Sequence, residues 1–475
     1  MTYPRDLVGY GQNVPQAKWP KRARVALQFV INYEEGGENN ILHGDAASEA
    51  FLSEIVGAQP WPGMRHMNME SIYEYGSRAG FWRLHRMFTE RAMPVTVFGV
   101  AHAIMRHPEA VAAMNEAGWE IATHGLKWID YRDFDSADEA HHIAEAVRIH
   151  AEVAGHRPLG MYQGRTSTNT LRLTQEEGGF LYSADSYADE LPYYVEGPNG
   201  RGGHGPFLIV PYTLDANDMR FATPQGFNAG DQFYAYLKDS FDTLYAEGEA
   251  APKMMSIGLH CRLVGRPGRA AALARFLDYV QGHERVWVAT RLDIARHWVM
   301  HHAPPGGWKP SMLSKPLFLE RFGGVFEHSP WIAEKAYETG LIPENDTATG
   351  LHAVMVDAMR SGSENARRAL IRAHPDLAGR LALAGELTAD STSEQASAGL
   401  DRLTSAELAE FTALNDAYKA KFGFPFILAV KGRSKADIIR SFTSRLSNNT
   451  TDEFTTALAE IERIALLRLK DILPG

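Results

Sequence analysis

The sequence predicts two folds in one chain, an α/β barrel followed by an all-α domain. In the first part, short apolar runs typical of buried strands alternate with longer segments of helical periodicity, and this order predicts a parallel sheet that is closed or nearly closed into a distorted barrel. In the last part, helical patterns follow one another almost without interruption. Between them, residues 303–316 contain four prolines and two glycines, as linkers do. We therefore predict domains at residues 1–302 and 317–475.

The predicted strands of the barrel are apolar runs at residues 25–32, 95–100, 119–123, 180–183, 207–210, 254–259 and 286–289. Helical periodicity between them is clearest at residues 71–91, 137–154 and 269–281. In barrels of this kind the catalytic side chains come from the carboxyl ends of the strands. We therefore expect the functional residues of the first part directly after its strands.

The helical part contains two pairs with the spacing of a capping box, in which a Thr and a Glu three residues later satisfy backbone N–H groups at a helix start. These pairs are Thr404 with Glu407 and Thr450 with Glu453. Gly423 is the predicted end of the first of these helices. Only residues 424–430 look extended, so the domain is predicted to be all-helical.

Composition excludes several classes of partner. The net charge of −10 argues against a nucleic-acid-binding protein, which needs basic patches. No apolar run approaches the length of a membrane span, and the first residues lack the apolar core of a signal peptide. The single cysteine, Cys261, excludes an intrachain disulfide. We expect a cytoplasmic enzyme with neither nucleic acid nor membrane as a partner.

Polar side chains follow several of the predicted strands of the first part. They are Glu34 and Glu35 after the first strand, His124 after the third, His260 after the penultimate one, and Arg165 and Asp185 from the segments between. Two carboxylates, two imidazoles and a guanidinium are sufficient for water activation, leaving-group protonation and binding of a carbonyl or carboxylate. The set therefore predicts a hydrolytic site.

Each of these residues also has a purely structural interpretation. Arg165 could pair with Asp185 only to hold two loops together. His260 could be a hydrogen-bonded core histidine, and Glu34 and Glu35 could lie in a solvated turn. The convergence of the whole set favours the functional interpretation, because the interior of such a barrel is mostly filled by branched apolar residues.

Four motifs carry a resemblance to a known family. They are NYEEGG at 32–37, HGLKWIDY at 124–131, QGRTSTN at 163–169 and HCRLVGRPGR at 260–269. In this order they resemble the NodB-type polysaccharide deacetylase superfamily, and in detail its metal-independent allantoinase branch. The resemblance covers residues 1–302, and it implies the distorted barrel of that superfamily.

The sequence departs from the deacetylases at the metal. Those enzymes hold a divalent cation with an Asp and two His spaced four apart; here His124 is present, but the second position is Trp128. A zinc site normally has three protein ligands. Glu35 and His124 alone are too few, so we predict no catalytic metal and no cofactor.

The resemblance implies hydrolysis of the ring amide of allantoin to allantoate. By carry-over from the acidic pair of the deacetylases, Glu34 or Glu35 is the general base, and the sequence does not decide between them. His260 would protonate the leaving nitrogen, and His124 would stabilise the oxyanion or position water. Arg165, with its planar donor fork, would bind the ring carbonyls, and Asp185 would join it in the substrate site.

A second candidate site lies in the helical part. His374 stands at a predicted helix end before Pro375, and a loop rich in Gly, Ala, Ser and Thr leads from there to the carboxylate of Glu394. A lone histidine in this position is often only a helix cap. Together with the loop, however, it resembles the family of 2-oxo-4-hydroxy-4-carboxy-5-ureidoimidazoline (OHCU) decarboxylases, and the resemblance covers residues 314–473.

This second resemblance implies His374 and Glu394 as catalytic residues. It implies substrate contacts from Pro375, Ser391, Gln395, Phe426, Ile427 and Arg445. The substrate places its carboxylate beside an electron-accepting ring, so carbon dioxide can leave without a cofactor. Arg445 and backbone N–H groups would hold polar edges of the substrate. His374 and Glu394 would control protonation, with Glu394 either fixing the tautomer of the imidazole or acting on the substrate itself.

The two resemblances together predict a bifunctional, homo-oligomeric enzyme of ureide breakdown that makes (S)-allantoin from OHCU and then opens it. Its partners would be small molecules only. The rival hypothesis is a metal-dependent deacetylase of carbohydrate or peptidoglycan, with a noncatalytic helical module for oligomerisation or binding. Trp128 in place of a ligand histidine counts against it.

Overall fold

The computed structural model describes residues 5–55, 57–377 and 403–474. The chain forms two compact units, Met1–Pro304 and Pro305–Gly475. The division falls inside the segment predicted as a linker. The later part of that segment belongs to the second unit, since Pro310–Met312 form a 3-10 helix and the next helix begins at Lys315.

The first unit is built on one nine-stranded sheet. Its strands are β1 Val25–Tyr33, β2 Thr96–Gly99, β3 Glu120–Thr123, β4 Gly160–Met161, β5 Tyr182–Ser183, β6 Tyr193–Pro198, β7 His204–Ile209, β8 Lys253–His260 and β9 Val286–Val288. The order is β6-β7-β5-β4-β3-β2-β1-β8, and β9 also pairs with β1. Every pair is parallel except β6 with β7. The prediction of a parallel sheet interleaved with helices is confirmed.

The sheet is open on one side. Among the described residues, no pair of strands joins β7 to β8, and only an isolated bridge between Asn217 and Gly258 lies against β8 there. Strand β1 pairs with three other strands, β2, β8 and β9, and all nine of its residues are buried. Such a strand has neighbours on both edges and helices on its faces, which explains why it reads as a continuous apolar run.

Nine α-helices are described in the first unit. They are α1 Met67–Tyr75, α2 Phe81–Thr89, α3 Ala101–Arg106, α4 Pro108–Glu116, α5 Ser136–Ala154, α6 Thr170–Glu177, α7 Gly230–Glu247, α8 Pro267–Gln281 and α9 Arg291–His301. The helix predicted at 71–91 is α1 and α2 together, joined by a π-helical turn at Gly76–Gly80. No helix in the described part of the chain has the length and hydropathy needed to cross a membrane.

Helices are the only regular secondary structure in the described residues of the second unit. Its helices are α10 Lys315–Phe322, α11 Pro330–Glu338, α12 Ala348–Arg360, α13 Glu364–Ala373, α14 Ser405–Phe422, α15 Lys435–Arg445 and α16 Thr450–Lys470. The capping box at Thr404 and the left-handed glycine that ends α14, Gly423 at φ 74°, are confirmed. Residues 424–430 are buried but form no strand.

The capping box predicted for Thr450 and Glu453 is wrong. The N-cap of α16 is Asn449, whose side chain accepts the N–H of Asp452. Asn is a stronger N-cap than Thr, so the helix starts one residue earlier than the Thr–Glu spacing indicates. Glu453 therefore takes no part in the cap, and it is fully buried inside the unit.

Candidate active sites

Three of the predicted residues of the first unit meet at the carboxyl edge of the sheet. Glu34 follows β1, His124 follows β3, and His260 ends β8; these strands lie side by side apart from β2 between β1 and β3. Oε1 of Glu34 is 3.4 Å from Nε2 of His124 and 3.4 Å from Nε2 of His260. All three side chains are almost completely buried. A carboxylate between two imidazoles is a group that can take, hold and pass on a proton.

Arg262, a residue of the motif at 260–269 for which no role was predicted, is the counter-ion of this carboxylate. Its Nη2 is 2.6 Å from Oε2 of Glu34, and its Nε donates to the Leu52 carbonyl at 3.2 Å. Burial alone would raise the pKa of Glu34, but Arg262 and then His260 outweigh burial and hold that pKa well below its usual range. Glu34 is therefore ionised at neutral pH, as a general base must be.

Asp218 orients His260. It opens a short 3-10 helix, Asp218–Ala222, between β7 and α7. Nδ1 of His260 donates to Oδ1 of Asp218 at 2.6 Å, and Oδ2 accepts the backbone N–H of His260 at 2.7 Å. Burial would lower the pKa of His260, but Asp218 and Glu34 raise it to about 9. The ring is therefore an imidazolium at neutral pH, which is the state of a general acid. Asp218 follows no predicted strand, and we see no sequence signal that could have singled it out.

Glu35 points away from the two imidazoles. Its Oε2 accepts the backbone N–H of Glu34 at 3.1 Å, and its Oε1 accepts the backbone N–H of Arg262 at 3.2 Å. Burial raises the pKa of Glu35, with Arg262 opposing that shift. The two glutamates of the predicted pair therefore differ in surroundings: one faces the histidines, and the other holds backbone.

Arg165 and Asp185 do not pair, so the interpretation in which they only hold each other is wrong. Oδ2 and Oδ1 of Asp185 accept the backbone N–H groups of Gln163 at 2.7 Å and Gly164 at 2.8 Å. Burial raises the pKa of Asp185 to about 6. The guanidinium of Arg165 instead stacks 3.8 Å above the ring of Trp128. Asp185 thus shapes the loop that presents Arg165.

Trp128 occupies the position at which the deacetylases have a second ligand histidine. Its ring packs against two cations, since the guanidinium of Arg262 also lies 5.1 Å from it. A Trp ring offers no lone pair to a metal, and both oxygens of Glu35 are occupied by backbone N–H groups. In the described residues no group of three or more His, Cys, Asp or Glu side chains could hold a metal ion. The residues present do not fit the metal centre of the deacetylases.

Cys261, between His260 and Arg262, is fully buried. Burial raises the pKa of its thiol well above the usual range. A thiol in this state is a poor nucleophile, because the thiolate is the reactive form.

His374 is the centre of the second candidate site. It caps the carboxyl end of α13, and its Nδ1 donates to the Leu370 carbonyl at 2.9 Å. Burial lowers the pKa of His374 to about 4, although the Leu370 carbonyl and Glu327 oppose that shift. The ring is therefore neutral at neutral pH, and its Nε2 carries the lone pair. Pro375 follows it and is half-buried.

Glu327 and Arg468 form a buried ion pair near this histidine. Nη1 of Arg468 is 2.9 Å from Oε2 of Glu327, and both charges act on the pKa of His374. Sequence reasoning gave neither residue a role. Each lies in a segment of the resemblance, FEHSPW at 326–331 and ERIALLRL at 462–469, but a single Glu or Arg in a helical pattern carries no signal of its own.

Arg445 is held by protein groups. Its Nε and Nη2 donate to Glu453 at 2.9 and 2.5 Å, and its Nη1 donates to the Ile427 carbonyl at 2.6 Å. The guanidinium also lies 4.5 Å from the ring of Phe426. Phe426 and Ile427 are both buried. Arg445 therefore fixes the course of residues 424–430. The remaining predicted residues, Ser391, Glu394 and Gln395, lie outside the described residues.

Comparison with known proteins gives a separate match to each of the two units. The family model for polysaccharide deacetylase matches residues 69–178, and the family model for OHCU decarboxylase matches residues 311–470. Each match lies within a single unit.

Individual relatives extend these matches. A solved structure of a PuuE allantoinase is 59% identical, with a TM-score of 0.62, and the match covers 64% of this chain and 99% of that one. A putative polysaccharide deacetylase of Schizosaccharomyces pombe is 42% identical over 313 residues, which are 63% of this chain and 98% of the relative. The OHCU decarboxylase of Halalkalicoccus jeotgali is 41% identical over 158 residues, which are 33% of this chain and 86% of the relative. The chain therefore belongs to the polysaccharide deacetylase family through its first unit and to the OHCU decarboxylase family through its second.

Proposed function

We propose that the chain is a bifunctional enzyme of ureide breakdown. The second unit decarboxylates OHCU to (S)-allantoin, and the first unit hydrolyses the ring amide of allantoin to allantoate. The observation that carries the hydrolase is the carboxylate of Glu34 between two imidazoles, one of them charged. The 59% identity to a PuuE allantoinase supports allantoin as the substrate.

In the first unit, Glu34 acts as the general base. It removes a proton from a water molecule, whose oxygen attacks the ring carbonyl carbon and forms a tetrahedral oxyanion. The carbon–nitrogen bond then breaks, and His260, which is already protonated, gives its proton to the leaving nitrogen. His124, on the other side of Glu34, orients the water or donates to the oxyanion. Base and acid are both in the required state near neutral pH, because Arg262 keeps Glu34 ionised and Asp218 keeps His260 charged.

Substrate binding in the first unit falls to Arg165. Its guanidinium lies over the ring of Trp128, which holds it in place, and its planar set of N–H donors suits the ring and ureido carbonyls of allantoin. Asp185 supports this contact from the loop at Gln163 and Gly164. We assign Asp185 to the shape of the binding loop.

In the second unit, the carbon–carbon bond to the carboxylate of OHCU breaks and carbon dioxide leaves. The electron pair is delocalised into the ring, and a ring carbon then takes up, on one face, a proton that comes from solvent under the control of His374 and Glu394. We assign Arg468 to the carboxylate, because it is the buried guanidinium whose charge reaches His374. His374, neutral with Nε2 as an acceptor, binds the substrate hydroxyl, and Glu394 acts beside it. Arg445 acts indirectly, by holding the loop at residues 424–430. Phe426 and Ile427 contact the substrate from this loop.

A coupled assay tests both reactions at once. Urate is supplied with urate oxidase and hydroxyisourate hydrolase, so that OHCU is made in place, and circular dichroism follows the products. We expect an optically active allantoin signal that rises and then falls. Allantoin without optical activity, which is the product of spontaneous decay, would contradict the decarboxylase, and an allantoin signal that never falls would contradict the hydrolase.

The rival deacetylase is tested by metal removal. Protein treated with a chelator and then freed of it is expected to hydrolyse allantoin at the untreated rate. Loss of the activity on chelation and its return with zinc would support the rival. Homo-oligomeric association and a cytoplasmic location stay predictions, and light scattering of the purified chain measures the first of them.

A further inference from the structure

The turn between α1 and α2 is π-helical over Gly76–Gly80 and has a glycine at each end. Both glycines have ordinary right-handed helical dihedrals, with φ −57° at Gly76 and φ −62° at Gly80. Glycine is therefore not needed there for an unusual backbone conformation, and it is a poor helix former. π-Helical turns within helices frequently lie at functional sites. The reason for these glycines must lie in what they touch.

A side chain at either glycine would collide with the active-site edge of the sheet. A Cβ placed on Gly76 would overlap the carboxyl group of Glu35, with 2.7 Å to its Cδ. A Cβ placed on Gly80 would overlap the backbone carbonyl of Cys261, with 2.7 Å to the carbonyl carbon. The π-helical turn therefore lies directly against the end of β1 and against the residue that follows His260.

Glu35 in turn ties together the general base and its counter-ion. Its two oxygens accept the backbone N–H groups of Glu34 and Arg262, at 3.1 and 3.2 Å. Those two residues meet again through their side chains, with Nη2 of Arg262 2.6 Å from Oε2 of Glu34. The carboxyl of Glu35 is thus a bridge between the ends of β1 and β8.

We infer that Glu35 is a positioning residue, and that the π-helical turn seats it. Gly76 lets the helix approach closely enough to hold the Glu35 carboxyl against the two N–H groups, and this contact sets the distance between Glu34 and Arg262. Glu34 alone is then the base of the pair. The inference rests on the proposed hydrolysis for its activity readouts, but the contact between Gly76 and Glu35 can be tested without it.

The first test is Gly76→Ala, with Gly268→Ala as the matched control. Gly268 lies in helix α8, and a Cβ there would meet none of the described atoms within 4 Å. We expect Gly76→Ala to lower kcat for allantoin by about tenfold or more, because small displacements of a catalytic group cost large factors in rate. Gly268→Ala is expected to keep the wild-type kcat.

The pH profile separates positioning from general damage. Glu34 is surrounded by Arg262, His260, His124 and Glu35, and displacement of Arg262 weakens the interaction that keeps it ionised. The acid limb of kcat/KM is therefore expected to move to higher pH in Gly76→Ala. Glu35→Gln introduces no overlap but removes a negative charge that itself raises the pKa of Glu34, so its expected effect is a lower kcat. A uniform loss at every pH in Gly76→Ala, or a wild-type kcat in Glu35→Gln, would overturn the inference.

A double-mutant cycle tests the contact itself. If the added methyl group acts through the Glu35 carboxyl, Gly76→Ala/Glu35→Ala is no worse than Glu35→Ala alone, both in kcat and in thermal midpoint. Losses that multiply would overturn the inference. If the wild type does not hydrolyse allantoin, the proposed function fails, whereas the thermal midpoints of the four proteins still decide whether Gly76 acts through Glu35.

Discussion

The two histidines at the centres of the two sites, His260 and His374, are buried to similar extents but carry opposite charge states. The two residues expose 4% and 8% of their surface. His260 lies between Asp218 and Glu34, which raise its pKa to about 9 against the effect of burial. His374 donates Nδ1–H to a backbone carbonyl, and burial lowers its pKa to about 4.

Burial lowers the pKa of both imidazoles, and the partners determine whether that effect is overcome. Two carboxylates overcome it at His260 and make it an acid suited to release a leaving nitrogen, which a hydrolase requires. At His374 the Leu370 carbonyl and Glu327 do not overcome it, so the ring is neutral and able to accept a hydrogen bond. The same residue type therefore serves two reaction classes on one chain.

The largest expected effects come from removing the central group of each site. Glu34→Gln is expected to lower the rate of allantoin hydrolysis by about 10²- to 10⁴-fold, which is the usual contribution of a general base. OHCU decarboxylation is expected to stay at the wild-type rate. Steady-state assays of both reactions on the same protein measure this, and a loss in both would contradict the independence of the sites.

His374→Ala is the converse variant. We expect OHCU decay to fall towards the spontaneous rate, because Ala removes the acceptor nitrogen, while allantoin hydrolysis is retained. OHCU loss is followed by absorbance. Allantoin hydrolysis is measured in a second assay, to which (S)-allantoin is supplied directly. Unchanged OHCU decay would refute the catalytic assignment and leave His374 as a helix cap.

A smaller effect is expected when the charge of His260 is disturbed indirectly. Asp218→Asn keeps the size of the side chain but removes the negative charge that raises the pKa of His260. We expect kcat to fall by about 10²-fold and the basic limb of its pH profile to move to lower pH. A basic limb that stays in place would show that His260 is not the acid.

The smallest expected effect concerns binding. Arg165→Lys keeps the charge but loses the planar fork stacked on Trp128. We expect KM for allantoin to rise by about tenfold with little change in kcat, because a lysine cannot replace a two-pronged contact. Arg157→Lys, an exposed arginine paired with Glu177, serves as the control. Equal KM values for the two variants would remove Arg165 from the binding site.

The sequence was sufficient to predict the site residues that directly follow or end a strand. Glu34, His124 and His260 were predicted because parallel strands bring their carboxyl ends to one edge. Asp218 was missed because it lies in a loop, 42 residues before its partner in the chain. Strands β4 and β6 were missed as well: β4 has only two residues, and β6 is an edge strand with Glu, Gly and Pro.

Helix ends and turns show the same limit. The periodicity at 71–91 predicts one helix, because an extra residue in a π-helical turn hardly disturbs an apolar pattern. The close approach of Gly76 to Glu35 depends on residues far apart in sequence. The pairing of Arg445 with buried Glu453 depends on how two successive helices pack. Local signals such as the Thr404 capping box were reliable where no stronger cap stood beside them.

The most direct test of the central claim is the pH dependence of both reactions, measured on the same purified chain. Hydrolysis needs His260 charged, so its kcat is expected to fall as pH rises through about 9. Decarboxylation needs His374 neutral, so its kcat is expected to fall only as pH drops through about 4. Both reactions would then run at full rate near neutral pH. A hydrolysis rate that already declines between pH ~6 and ~7, where an unperturbed imidazole loses its proton, would contradict the account.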